Sequence, residues 1–166
     1  MAIEHDFFGL LDTGPDGSIF WSENVELGDQ VVTVDLTAPD QDDVSTAALD
    51  LAAGLITSLE AVDVRARGAM VSELDDRTSE VIEFILQQQD SLGSDLEDLL
   101  VDVSGDLQID VIRALQLVSL TILADEHGGD DPFAVLEYAL DPDATDEVLL
   151  VNLGSDGEVM SVTSAE

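Results

Sequence analysis

Apolar positions along this chain change their period twice, and each change marks a change of predicted secondary structure. Residues 3–11, 18–25 and 31–36 are short runs rich in β-branched and aromatic side chains, among them Ile19, Phe20, Trp21 and Val31 to Val34. The turn-forming stretch 12–17 and the pair Gly28-Asp29 separate them, so three strands in a meander are expected. Pro39-Asp40 closes the meander, and the period lengthens. Val44, Ala47, Ala48, Leu51, Leu55, Leu59 and Val62 recur at intervals of three and four, the stripe of an amphipathic helix whose first turn carries Asp42 and Asp43. A second helix is expected over 63–74, weakened by Gly68. A third begins at a Thr78 cap and turns Val81, Ile82, Ile85 and Leu86 inward. A short fourth, capped by Ser94, runs through Leu96, Leu99 and Leu100.

Leu107, Val111, Ile112 and Leu115 keep the helical period, and the pattern reverts to strand near Gln116. After a charged turn at 126–132, the runs 133–140, 147–153 and 158–163 are short and apolar, parted by Asp141-Pro142-Asp143 and Gly154-Ser155-Asp156-Gly157, which reads as antiparallel hairpins. The expected fold is a single α+β domain over residues 1–166. An antiparallel sheet of about six or seven strands comes from both chain ends, and the helical middle packs on one face.

Charge then narrows the partners. The chain carries 38 acidic residues against four basic ones, all arginine (Arg65, Arg67, Arg77 and Arg113), for a formal net charge of -34 over 166 residues. Disorder is not implied, because 45% of residues are hydrophobic and the mean hydropathy is +0.18. Such a surface repels nucleic-acid phosphates and anionic lipid, so direct binding to either is excluded in expectation. Without cysteine there is no disulfide framework or thiolate metal site, and without lysine no Walker-type phosphate loop. Glu4 and Asp6 stand where a signal peptide would be positive, and no apolar run is long enough for a membrane span, so the chain reads as cytoplasmic. Three origins of the acidity are open: adaptation to a salt-rich cytosol or an acidic proteome, a docking surface for a basic protein, and mimicry of DNA. The absence of lysine favours composition, since a mimic needs acids on one face only.

Phe8-Gly9-Leu10-Leu11, Phe20-Trp21, Val25-Glu26-Leu27 and residues 31–36, with 145–151 leading into Asp156-Gly157-Glu158-Val159, carry a further likeness. In these motifs and in the order of its elements, the chain resembles a bacterial and archaeal family of uncharacterised small cytosolic proteins, domain of unknown function number two thousand and four. The resemblance implies a compact α+β fold with an antiparallel sheet. It brings no activity and no site residues.

Candidate chemistry is sparse. His5 and His127 are the two imidazoles, and neither has the partner spacing of a metal site. Asp141, Asp143 and Asp146 alternate as in a calcium loop, but the central glycine and distal glutamate are missing, so a hairpin turn accounts for them better than a weak cation site. Ser94 follows Gly93 and Ser104 precedes Gly105 without a nucleophile-elbow motif, so both read as cap or loop residues. Arg65 and Arg67, two apart on a helix, point to different sides and suit separate carboxylates better than one anion clamp. No catalytic residue, metal site or cofactor is assigned. The function expected is that of a non-enzymatic interaction protein, of immunity-like or regulatory-adaptor type, whose acidic surface suits a basic protein. The alternatives are a carboxylate- or metal-dependent enzyme and a DNA mimic.

Overall fold

A computed structural model describes residues 2–101, 103–124 and 132–165. The charged turn predicted at 126–132, including His127, lies outside the described residues except for Pro132. The first apolar run does not form one strand. It folds into a hairpin of β1 (Ala2–His5) and β2 (Gly9–Asp12), which pair antiparallel with His5 opposite Gly9. The chain reverses through Asp6-Phe7-Phe8, and Gly9 sits at φ 70°, in the left-handed region that a glycine enters without strain. The hairpin forms its own two-stranded sheet.

A second sheet holds six strands in the order β3 (Ile19–Leu27), β4 (Gln30–Ala38), β5 (Gln116–Leu123), β6 (Ala134–Ala139), β7 (Val148–Leu153) and β8 (Val159–Ala165). The strand count and the origin from both chain ends agree with the sequence pattern. The expected antiparallel sheet is mixed. β4 and β5 run parallel, with Val34 opposite Leu120 and Leu36 opposite Ile122, while the other neighbours are antiparallel. The reason is connectivity: the whole helical segment intervenes between β4 and β5, and a crossover of that length returns the chain to the same end of the sheet.

That segment comprises α1 (Thr46–Thr57), α2 (Leu59–Glu73), α3 (Glu80–Leu92), α4 (Leu96–Leu99) and α5 (Leu107–Ala114), with 3₁₀ turns at Gln41–Asp43 and Gly93–Asp95. The long stripe from Val44 to Val62 is split, not continuous. Thr57 and Ser58 both donate their hydroxyls to the carbonyl of Gly54, a back-bond that bends helices, and Ser58 is the joint between α1 and α2. The stripe survives the bend, since Leu55, Leu59 and Val62 are all buried. Ser79, not Thr78, caps α3, accepting from the Ile82 N–H. Thr78 instead closes the preceding turn on Asp76. Val81 and Ile85 face inward as expected, but Leu86 is exposed and Phe84 takes the buried position. Ser94 lies inside a 3₁₀ turn and caps nothing, because Asp95 precedes α4 without a side-chain cap bond.

All helices lie on one side of the large sheet. One core unites Val32, Val34 and Leu36 of β4, Leu120 and Ile122 of β5, Leu136 and Tyr138 of β6 and Leu149 and Val151 of β7 with Ala52, Val62, Ala66, Met70, Phe84 and Val111 of the helices. The hairpin is fastened at the same side, where Phe8 and Leu11 enter that core. The Glu80 carboxylate accepts from the Ser164 N–H, tying α3 to β8 at the sheet edge.

Candidate functional site

His5 is consumed by the hairpin. Its Nδ1 accepts the Phe7 N–H at 3.1 Å, so Nε2 carries the proton and donates to Asp50 Oδ1 of α1 at 2.7 Å. Its ring leans on Phe8, which meets Phe7 and Trp21 edge-on. Both ring nitrogens are engaged, and the residue clasps β1 to α1. No group of three or more His, Asp or Glu side chains able to hold a metal occurs among the described residues.

The two neighbouring arginines diverge as their spacing predicts. Arg65 is exposed and makes no ion pair among the described residues. Arg67 turns inward and spends its whole fork. Nε donates to both oxygens of Asp63 at 3.0 and 3.2 Å, and the terminal nitrogens reach the carbonyls of Ile112 and Leu115 at 2.6 and 2.7 Å. Those carbonyls end α5, where orphan acceptors and the helix dipole favour a cation. The Tyr138 hydroxyl donates to Asp63 Oδ1 at 2.7 Å, and the guanidinium lies over its ring. One cluster thereby joins α2, α5 and β6.

Burial, then the negative charge of Asp63 and the hydrogen bond to it, push the Tyr138 phenol well above its ordinary value. The sign is that of a raised acid: the stabilisation is complete below the unfolded value near pH 10 and lost as pH rises beyond it. Tyr138 is the one tyrosine, and the chain has neither lysine nor cysteine, so this phenol alone among its side chains titrates there. Stability is expected to fall above about pH 10 by about 1.4 kcal/mol per pH unit. Tyr138→Phe should cost about 1–2 kcal/mol at pH 7 and abolish that slope. Urea melts between pH 8 and 12 measure both, and an equal alkaline slope in the variant would remove the assignment.

The remaining polar candidates also have local structural partners. Ser104 donates its N–H and hydroxyl to Asp110, a carboxylate only 1% exposed at the start of α5, while Asp106 caps that helix through the Ile109 N–H. Asp141 accepts from the Asp143 N–H, closing the turn that the sequence suggested, and Asp143 and Asp146 point to solvent. Thr145 of the same turn docks on α3 by donating to Gln88 Oε1 at 3.2 Å, and Glu147 accepts from Ser91. Gln88 is fully buried, a position that the apolar pattern of α3 does not announce because its polar end faces a residue far away in sequence.

What distinguishes the molecule is the contrast between its two broad surfaces. Acids stud the helices and the turns, as at Asp50, Glu60, Glu83, Asp90, Glu97 and Asp98, all exposed. The sheet face turned away from the helices carries three of them, Glu26, Asp35 and Glu137, and no arginine. It presents Phe20, Ser22, Asn24 and Glu26 of β3, Val31, Thr33, Asp35 and Thr37 of β4, Ser119 and Thr121 of β5, Val135 and Glu137 of β6, Leu150 and Asn152 of β7 and Ser161 and Thr163 of β8. None of these side chains is buried. Cross-strand bonds run along the face from Thr33 to Asn24, Ser119 to Glu137 and Asn152 to Ser161. Alternation along a strand half-covered by helices places Ser and Thr here while Val and Leu go inward.

The fold and these surfaces define a two-layer α+β protein with an open-faced mixed sheet. Compared with known protein families, curated proteins and solved structures, the chain matches none. No helix among the described residues is long and apolar enough to cross a membrane.

Proposed function

We propose that the protein is a non-enzymatic interaction protein, of immunity-like or regulatory-adaptor type, whose acidic helical layer docks a basic protein. Membership of the uncharacterised family that its strand motifs resemble belongs to the same proposal and adds no activity to it. The observation that carries the reading is the disposition of the acids. They stand exposed on successive helices, as Asp50 on α1, Glu60 on α2, and Glu83 and Asp90 on α3, and among the described residues the one arginine–carboxylate ion pair is that of Arg67 with Asp63. Such a layer attracts a cationic surface and accelerates its encounter. The buried polar groups support the same reading over catalysis, because Asp63, Arg67, Tyr138, Asp110 and Ser104 bind one another or backbone and hold elements together. Acids shared among helices, turns and loops also fit a docking layer better than the single elongated row that DNA mimicry requires.

The test is retention of a defined basic protein from native lysate, at physiological salt and at the salt of the source cytosol. A stoichiometric partner released by added salt and lost in the double variant Glu83→Lys, Asp90→Lys is the expected result. Recovery of nothing above background, or of a partner indifferent to both substitutions and salt, overturns the reading.

A further inference from the structure

The open sheet face lies apart from the acidic layer and asks for a different occupant. We propose that it is the interface of a homodimer, formed when two copies stack these faces against each other. Charge selects the occupant first. All four arginines lie outside the strands, so the face offers nothing to a phosphate or an acidic partner, and Glu26, Asp35 and Glu137 are too few to grip a basic one. A second copy at net charge -34 approaches this face against three acids per copy, Glu26, Asp35 and Glu137, while the helical layer presents exposed acids on every helix from α1 to α4.

Chemistry is self-complementary as well. Thr33, Thr37, Ser119, Thr121 and Thr163 carry hydroxyls that both donate and accept, and Asn24 and Asn152 carry amides that do the same, so a twofold axis can pair the face with itself. Phe20 is 67% exposed and Val31 61%, at opposite ends of the β3–β4 side, and apolar area of that kind gains from being covered. The size is sufficient. Six strands about 4.8 Å apart, each at least six residues long at about 3.3 Å per residue, make a face of roughly 600 Å² per copy, or about 1,200 Å² in all. Specific interfaces begin near that area. Sheets stacked about 10 Å apart, with strands roughly 30° from parallel, give the geometry.

The acids surrounding the face set the salt response. Their repulsion between copies is screened as the Debye length falls from about 10 Å at 0.1 M to about 3 Å at 1 M, so association strengthens with salt, opposite in sign to the docking of a basic partner. Failure of one proposal is therefore distinguishable from failure of the other.

Sedimentation velocity of the full chain in KCl from 0.1 to 2 M tests it, with two near-isosteric variants on the face. Glu137→Gln retains an acceptor for Ser119 while deleting a central charge from each copy, and should tighten the dimer about tenfold near 0.15 M salt. Asn152→Asp adds a charge to each copy where Ser161 can still serve as partner, and should weaken it about tenfold. Circular dichroism melts of both variants report whether the monomer fold is kept. A chain that is monomeric at every salt concentration overturns the proposal, as does a dimer whose affinity neither variant changes, which would place the contact elsewhere on the molecule. A monomer whose retention of a basic protein responds to the two variants would assign the face to that partner and overturn it equally.

Discussion

Replacing Arg67 by methionine is expected to lower the melting temperature by about 6–12 °C, corresponding to about 3 kcal/mol for a chain of this size. Methionine keeps much of the aliphatic stem but removes every donor. Asp63, with its side chain 17% exposed, then loses its cation, and the carbonyls of Ile112 and Leu115 lose their partners together. Removing one member of a largely buried pair leaves the other desolvated and uncompensated, which costs more than the intact pair contributes. Lysine should rescue little. Its single ammonium cannot reach a carboxylate and two helix-end carbonyls with the planar fork that this site uses. Arg65→Met, two residues away on the solvent side, is the control and should stay within about 0.5 kcal/mol. Paired thermal and urea melts check all three substitutions, and an Arg67→Met melt coincident with the Arg65→Met melt would dismiss the cluster as a fastening.

Raising KCl from 0.1 to 1 M should stabilise the fold by about 3 kcal/mol, or roughly 6–12 °C in melting temperature. Glu80 and Glu83 on α3 are like charges one turn apart, and exposed acids crowd the turns at Asp40-Gln41-Asp42-Asp43 and Asp95-Leu96-Glu97-Asp98. Each such neighbouring pair is unfavourable by about 0.2–0.5 kcal/mol, so on the order of ten of them account for the expected gain. Unfolding separates them, and screening removes the advantage of separating them. Melts at sub-micromolar protein isolate this effect from dimerisation, which depends on concentration. A melting temperature flat across that salt range would refute the environmental reading of the charge.

Much of this fold was legible because periodicity reports local geometry and one-sided burial. The stripe through Leu55, Leu59 and Val62, the switch from helix to strand at Gln116, and the closing strands near Ala134, Val148 and Val159 all follow from which side of an element meets the core. The misreadings share a cause. Residues 3–11 are apolar throughout, so nothing in the pattern separates a strand from a hairpin; Gly9 was the available signal, and its positive φ turns the chain. At Ser58 the apolar period runs unbroken while hydroxyl bonds to Gly54 bend the helix beneath it. Thr78 and Ser79 are both competent caps, and contact of Thr78 with Asp76 leaves the role to Ser79.

By itself, the sequence determined the α+β class, the supply of strands from both chain ends and the scarcity of cations, because these depend on neighbours along the chain and on composition. Only the tertiary structure decided that β4 and β5 run parallel, that Arg67 is a half-buried clasp while Arg65 is exposed, and that Gln88 meets Thr145. It also separated the acidic helical layer from a sheet face that carries three acids and no cation. Those outcomes rest on contacts between residues far apart in sequence, and a one-dimensional pattern records which residues are buried without recording what they are buried against.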